Sequence, residues 1–234
     1  LDLLRQYLNK DYNFRHRVFT AERRGLVCDN WGERNGEAFA ASGWRNFAPF
    51  FGASKITQVD GWNYFPTMNS QSYLWSWGGG GGGYTSCDGV GGSDDFANGD
   101  VKGVFTMYLG SFFGDWDNES NFLRAPLGST SYCLTAAWAG RPHWFFHHMG
   151  LGETIGYGTK LTQNNGGSTY MASQVGDRGV HIALMGDPTL RLHPVVPPGN
   201  LNGVVAGNTV SLSWSAASDS GVRGYNIYRA SSMD

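Results

Sequence analysis

Residues 72–83 read Ser-Tyr-Leu-Trp-Ser-Trp followed by six consecutive glycines, Gly78 to Gly83. An apolar, aromatic run of this length suits a strand buried on both faces. The glycines end it in backbone that can approach a ligand or another loop without side-chain interference. A second run, Gly103 to Leu109 (Gly-Val-Phe-Thr-Met-Tyr-Leu), has the same buried character and opens into Gly110-Ser111-Phe112-Phe113-Gly114-Asp115-Trp116. Shorter apolar stretches lie at Arg24 to Cys28, Ser54 to Val59 and Tyr132 to Trp138. Between them come segments with helical spacing: Leu1 to Leu8, Gly36 to Phe51 with Phe39, Trp44, Phe47 and Phe51, and a face of Trp144, His148, Leu151 and Ile155. Asn9 to Arg15 reads as a polar connection, and Pro142 stands where a helix accepts its first residue. Strands alternating with helices predict a three-layer α/β domain with a mostly parallel sheet.

Composition limits the function classes. Lys and Arg total 17 against 19 Asp and Glu, a net charge of −2, and charged residues are 15% of the chain, against about 25% in ordinary soluble domains. That excludes a basic nucleic-acid footprint. No stretch reaches the ~18 apolar residues of a membrane helix. Three cysteines, Cys28, Cys87 and Cys133, are too few and too scattered for a disulfide framework or a four-thiolate zinc site. The chain starts at Leu1 without a signal pattern and stops at Asp234 just after an apparent strand, so it reads as an internal piece of a longer protein.

The pattern changes after residue 193. Residues 194–198 are a proline-rich linker, and Thr209 to Ser215 alternates with period two and carries a Trp. Gly224 to Ala230 (Gly-Tyr-Asn-Ile-Tyr-Arg-Ala) is a further candidate strand after a polar turn at Asp219-Ser220-Gly221. Residues 199–234 therefore divide from 1–193. They are either a β-hairpin appended to the first domain or part of a second, β-sandwich module, too short alone to bury a core.

In open α/β sheets the chemistry sits beyond the carboxyl ends of the strands. The glycine run could line an anion nest, but it fits neither Gly-x-x-x-x-Gly-Lys-Ser/Thr nor a GxGxxG–helix–acid unit, so a nucleotide loop is not expected. Ser111 follows a buried strand among small residues, as exposed hydrolase nucleophiles do, and an ordinary loop serine fits the spacing equally well. His143 and His147 in Arg141-Pro142-His143-Trp144-Phe145-Phe146-His147-His148 are the candidate bases. They stand four apart, as zinc-binding histidines do, but without the intervening Glu or a third ligand. Asp115-Trp116-Asp117-Asn118-Glu119 alternates oxygen ligands, yet lacks the glycine and closing glutamate of a calcium loop and reads better as a solvated acidic loop. No cofactor is expected. The candidate binding residues are Trp77, Gly79, Gly80, Phe112, Asp115, Trp116 and Arg141, within an aromatic rim of Trp75, Trp77, Tyr84, Phe112, Phe113, Trp116 and Trp144.

Several segments together resemble a known family. The strand followed by Ser-Phe-Phe-Gly-Asp-Trp is similar to the nucleophile segment of gingipain-type cysteine peptidases, in which Cys-x-x-Gly-Asp/Ser-aromatic follows a buried strand. Met185-Gly186-Asp187-Pro188-Thr189-Leu190 resembles that domain's closing motif, and Tyr7-Leu8-Asn9-Lys10 with Phe14-Arg15 resembles its inter-lobe connection. The segment from Pro197 resembles the opening of a fibronectin type III domain. The resemblance implies a caspase-like fold, export from a bacterium to the medium or cell surface, and a polypeptide-handling crevice. It also places Ser111 at the family's Cys, and the glycine run at the family's Gly-His-Gly motif, with no histidine there. A peptidase fold without the peptidase dyad is therefore expected, acting as a polypeptide- or glycan-binding module. The alternatives are a retooled hydrolase using Ser111 with His143 or His147, and a structural spacer in a large surface protein.

Overall fold

The computed structural model describes residues 1–34, 37–139, 144–163, 182–225 and 227. Six strands form the main sheet: β1 (Gly25–Asp29), β2 (Ile56–Val59), β3 (Tyr73–Gly79), β4 (Gly103–Leu109), β5 (Thr135–Ala139) and β6 (Ile182–Gly186). They lie in the order β6-β5-β4-β3-β1-β2, all parallel except β6, which runs antiparallel to β5. Helices α1 (Asp2–Arg15), α2 (Ala41–Phe51), α3 (Tyr64–Ser70), α4 (Ser93–Asn98), α5 (Ala125–Gly128) and α6 (Ile155–Gln163) cover it. Every residue of β3 and β4 is buried, as continuous apolar strands between two helical layers require.

Each face of the sheet has its own core. Trp75, Trp77, Phe105 and Met107 pack with Phe47 and Phe50 of α2 and with Trp144, Phe146 and Met149. Leu26, Cys28 and Tyr108 turn the other way, onto Tyr64, Phe65 and Met68 of α3 and onto Phe96 and Phe122. Gly43 is required where α2 crosses β3, because a Cβ there would press within 2.9 Å of the Trp77 side chain. Three-layer α/β architecture with a mostly parallel sheet is what the alternating strand and helix signals predict.

Local differences from the sequence expectations have physical causes. Asn9 to Arg15 is the second half of α1, not a connection. Its charges serve the helix: Asp11 and Arg15 pair four residues apart at 2.8 Å. Lys10 turns inward, its Nζ donating to the carbonyls of Leu127 (3.2 Å), Ser129 (2.5 Å) and Cys133 (2.9 Å). Burial pushes that ammonium down to about 8. Phe39 precedes α2, and Phe50 joins Phe47 in the buried stripe. β3 runs on into Gly78 and Gly79, so two of the six glycines are strand.

The expected single face of Trp144, His148, Leu151 and Ile155 does not form. Residues 144–146 form no regular element, His147–Leu151 is a 3-10 turn, α6 starts only at Ile155, and Leu151 is exposed. What holds 144–146 is Asn46, buried in α2. Its side chain donates to the Trp144 carbonyl (2.9 Å) and accepts from the Phe146 amide (2.8 Å), while Ser42 Oγ accepts from the Trp144 amide. Pro142 lies outside the described residues.

Two family-like segments meet at the sheet edge. The Asp187 carboxylate accepts from the amide and hydroxyl of Thr189 (both 2.7 Å) and from Arg15, and the Asp187 amide donates to Tyr7 Oη (2.7 Å). The closing Gly-Asp-Pro turn is thereby bound to α1.

After residues 194–198, which form no regular element, strands β7 (Gly199–Ala206) and β8 (Thr209–Ser215) form an antiparallel hairpin. All of β7 is exposed and only Trp214 of β8 is half-buried, beside Tyr225. The further strand expected at Gly224 to Ala230 falls mainly outside the described residues. Among the described residues no helix is long and apolar enough to cross a membrane.

Asn46→Leu strands the Trp144 carbonyl and the Phe146 amide in the core. We expect it to lower unfolding free energy by at least about 2 kcal/mol in denaturant titrations. Asp187 yields a pH signature. Burial raises its carboxyl, but Thr189 and the Arg15 guanidinium outweigh that and hold it below the usual carboxylate range. With the folded value beneath the ~3.9 of an unfolded Asp, its contribution is present above that pH and lost as pH falls through the folded value. The difference in Tm between the parent and Asp187→Asn is therefore expected to be widest near neutrality and to shrink below about pH 4.

Candidate functional site

The carboxyl ends of β1, β3 and β4 converge because these strands are neighbours in parallel register, with Asp29 opposite Gly79 and Gly79 opposite Leu109. Beyond them the chain forms two lips. The Gly80 amide donates to the Leu109 carbonyl (3.0 Å), and a methyl group on Gly82 would overlap the backbone N and O of Ser111. Residues 79–83 and 110–116 are thus adjacent lips, in backbone contact at Gly82 and Ser111. Asn30 closes the β1 side, donating from its backbone amide (2.9 Å) and its side chain (3.0 Å) to the Gly79 carbonyl.

The second lip is held from behind. Asn121, buried, donates to the carbonyls of Phe113 (3.3 Å) and Asp115 (3.2 Å) and accepts from the amides of Leu123 and Arg124. Trp138 Nε1 donates to the Gly110 carbonyl at 3.1 Å. The Ser111 side is exposed at the lip, and Phe112 sits beside it in left-handed backbone, φ 64°. A residue with a Cβ pays about 1–2 kcal/mol for that conformation. Here it projects the Phe112 ring, half exposed, onto Tyr84 at a centroid distance of 5.0 Å.

The aromatic rim is narrower than the sequence predicts. Tyr84, Phe112 and Trp116 are exposed, while Trp75, Trp77, Phe113 and Trp144 are core residues. Trp77 therefore cannot touch a ligand directly; it supports the first lip from beneath Gly79, whose added Cβ would meet its ring. The expected anion nest is also restricted, since the Gly80 amide is spent on Leu109 and the Gly83 amide on Ser86 (2.8 Å). Asp115 is exposed at the second lip.

Of the candidate bases, His147 is carried away from Ser111. Phe146 lies beside Asn46, and Gly150 beside Phe50. The chain carrying His147 and His148 thus runs down the flank of α2, away from the carboxyl ends of the strands. His147 is held below its usual range by burial and by His148. His16, at the end of α1, and His193, beside Leu74 at the start of β3, are at the amino end of the sheet. Arg141 and His143 lie outside the described residues.

The cysteines are not thiolate nucleophiles. Cys87 comes nearest the lips, its Sγ–H pointing at the Leu109 carbonyl (3.7 Å), but it is buried. Burial first, then Cys28 and Asp88, push its thiol far above the usual value. Burial likewise raises Cys28, and raises Cys133 to about 11. Asp115, Asp117 and Glu119 are exposed, and among the described residues no three acidic, His or Cys side chains are grouped to hold a metal ion.

The fold is caspase-like. Among solved structures the chain matches the Arg-specific cysteine proteinase gingipain R with a TM-score of 0.53 at 14% identity, over 89% of this chain and 59% of that one. No protein-family model matches the sequence, and no curated protein does either. At that identity the likeness concerns the backbone only, and this chain spans little more than half of the proteinase chain. What sequence reasoning missed at the site is the clamp of Asn30 and Asn121; single asparagines in loops carry no periodic signal.

Because the lips touch through backbone, we expect Gly82→Ala to force them apart and cost roughly 2 kcal/mol or more in thermal or denaturant unfolding. Gly83→Ala, whose Cβ would meet only the Ser86 side chain within 3.4 Å, is expected to be near neutral.

Proposed function

We propose that this domain is a peptidase-derived module that binds a polypeptide at the lips beyond the ends of β3 and β4 without cleaving it, within an exported bacterial protein. The observation that carries the reading is the separation of chemistry from shape. The exposed aromatics Tyr84, Phe112 and Trp116 stand at the lips, yet no described histidine is found beside them to take the Ser111 proton. A serine hydroxyl depends on such a base far more than a thiol does. The described cysteines are buried, and burial raises their thiols, so none is placed to act as a nucleophile. A polypeptide suits a rim that bears exposed rings, since aromatic faces supply contact area at low entropic cost.

A second reading has one observation in its favour: Ser111 is exposed directly after a fully buried strand, where α/β hydrolases present nucleophiles. Its base would have to be His143.

Two measurements separate the readings. A fluorophosphonate probe is expected to leave the protein unlabelled; stoichiometric labelling lost in Ser111→Ala would replace binding with hydrolysis. On arrays of peptides and glycans, peptides are expected to bind, with Phe112→Ala weakening the best of them about tenfold or more. Capture of glycans alone, or of nothing, would remove the proposal.

A further inference from the structure

At the amino end of the sheet, opposite the lips, lies a cavity of about 230 Å³ lined by Phe14, Phe19, Leu74 and Leu192 with Arg17, Arg23 and His193. Its titratable groups are all cationic or able to become so, and the Thr20 side chain adds a neutral hydroxyl to the lining. Arg23 donates to the imidazole Nε2 of His193 at 3.2 Å, so a guanidinium spends a donor on a neutral ring. Among the described residues no carboxylate pairs with Arg23. Burial, then Arg23 and Arg17, hold His193 below its usual range.

Arg17 is placed there at a cost. It ends α1 in left-handed backbone, φ 56°, where Val18 N closes back to the Asn13 carbonyl at 2.8 Å. Glycine ordinarily takes that position. Its side chain donates from Nε to the Pro194 carbonyl (2.8 Å) and lies 2.8 Å from the Asp219 carboxylate. Non-glycine residues in such backbone concentrate at ligand clamps.

We propose that this cavity is a binding site for a carboxylate borne on a small apolar body. Charge fixes the class: Asp219 already balances Arg17, which leaves, among the described residues, the charge of Arg23 without a carboxylate and an imidazole that can gain a proton. That complements a monoanion better than a phosphate dianion. Size agrees, since the volume is below the ~300–1,000 Å³ of pockets that hold drug-sized ligands, and the Phe14, Phe19, Leu74 and Leu192 walls take a short hydrocarbon. Such a carboxylate accepts from Arg23 in two-pronged fashion and favours the protonated form of His193. Free small acids and the C-terminal carboxylate of a peptide ending in an apolar residue share this chemistry.

The test uses the full chain, with N-acetyl-leucine, its neutral analogue N-acetyl-leucinamide, inorganic phosphate, and a pentapeptide ending in leucine as probes. Calorimetry reads the affinity, and NMR follows the His193 ring. N-acetyl-leucine is expected to bind and to raise the His193 titration midpoint by about one pH unit, as a neighbouring opposite charge does. The neutral amide is expected not to bind, and Arg23→Gln, at an exposed position, to weaken the acid at least tenfold. Tighter binding of the peptide than of N-acetyl-leucine assigns the site to chain termini, and equal binding assigns it to free acids. Phosphate binding more tightly than the acid, equal binding of acid and amide, unchanged binding in Arg23→Gln, or no binding of the acid at on the order of 10 mM overturns the proposal.

Discussion

The pairing of β3 with β4 underlies the rest of the molecule. Two strands buried over their whole length and hydrogen-bonded in parallel must deliver their carboxyl ends to the same place. Whatever follows them is then forced together. Here that is glycine on one side and Gly110-Ser111-Phe112 on the other, close enough that the Gly82 and Ser111 backbones leave no room for a methyl group between them. The meeting of the two lips is a consequence of strand order before it is a consequence of any side chain on them.

Holding the shape and performing chemistry are separate tasks in this protein, assigned to different residues. Shape rests on buried asparagines that satisfy main-chain groups where helices and strands cannot: Asn46 under residues 144–146, and Asn121 behind the second lip. Proton transfer would need an imidazole at the lips, and the same Asn46 clamp leads His147 away down α2. The likeness to gingipain R is a likeness of backbone. A caspase-like scaffold of this kind draws its stability from its two aromatic cores, on either face of the sheet, and not from the residues at the strand ends.

At the amino end of the sheet Arg15 is balanced by Asp11 and Asp187, and Arg17 by Asp219, while Arg23 donates to the neutral ring of His193. That arrangement sets the cavity at Arg23 apart from the residues at the strand ends in kind as well as place.

Strand positions were legible from the order of residues alone, because a strand covered on both faces must be apolar throughout, and β4 follows that rule from Gly103 to Leu109. The strand ends were legible too, marked by glycine. Residues whose burial depends on distant partners were not. Lys10 looks like solvent-facing charge until three carbonyls from residues 127–133 surround it, and Trp77 looks like a ligand contact until α2 covers it. Local sequence determines which segments are strands and where they stop, since that depends on near neighbours and periodicity. Which polar groups are caged, which rings are exposed and which histidine faces which serine are decided by contacts across a hundred residues, and only the folded chain brings those together.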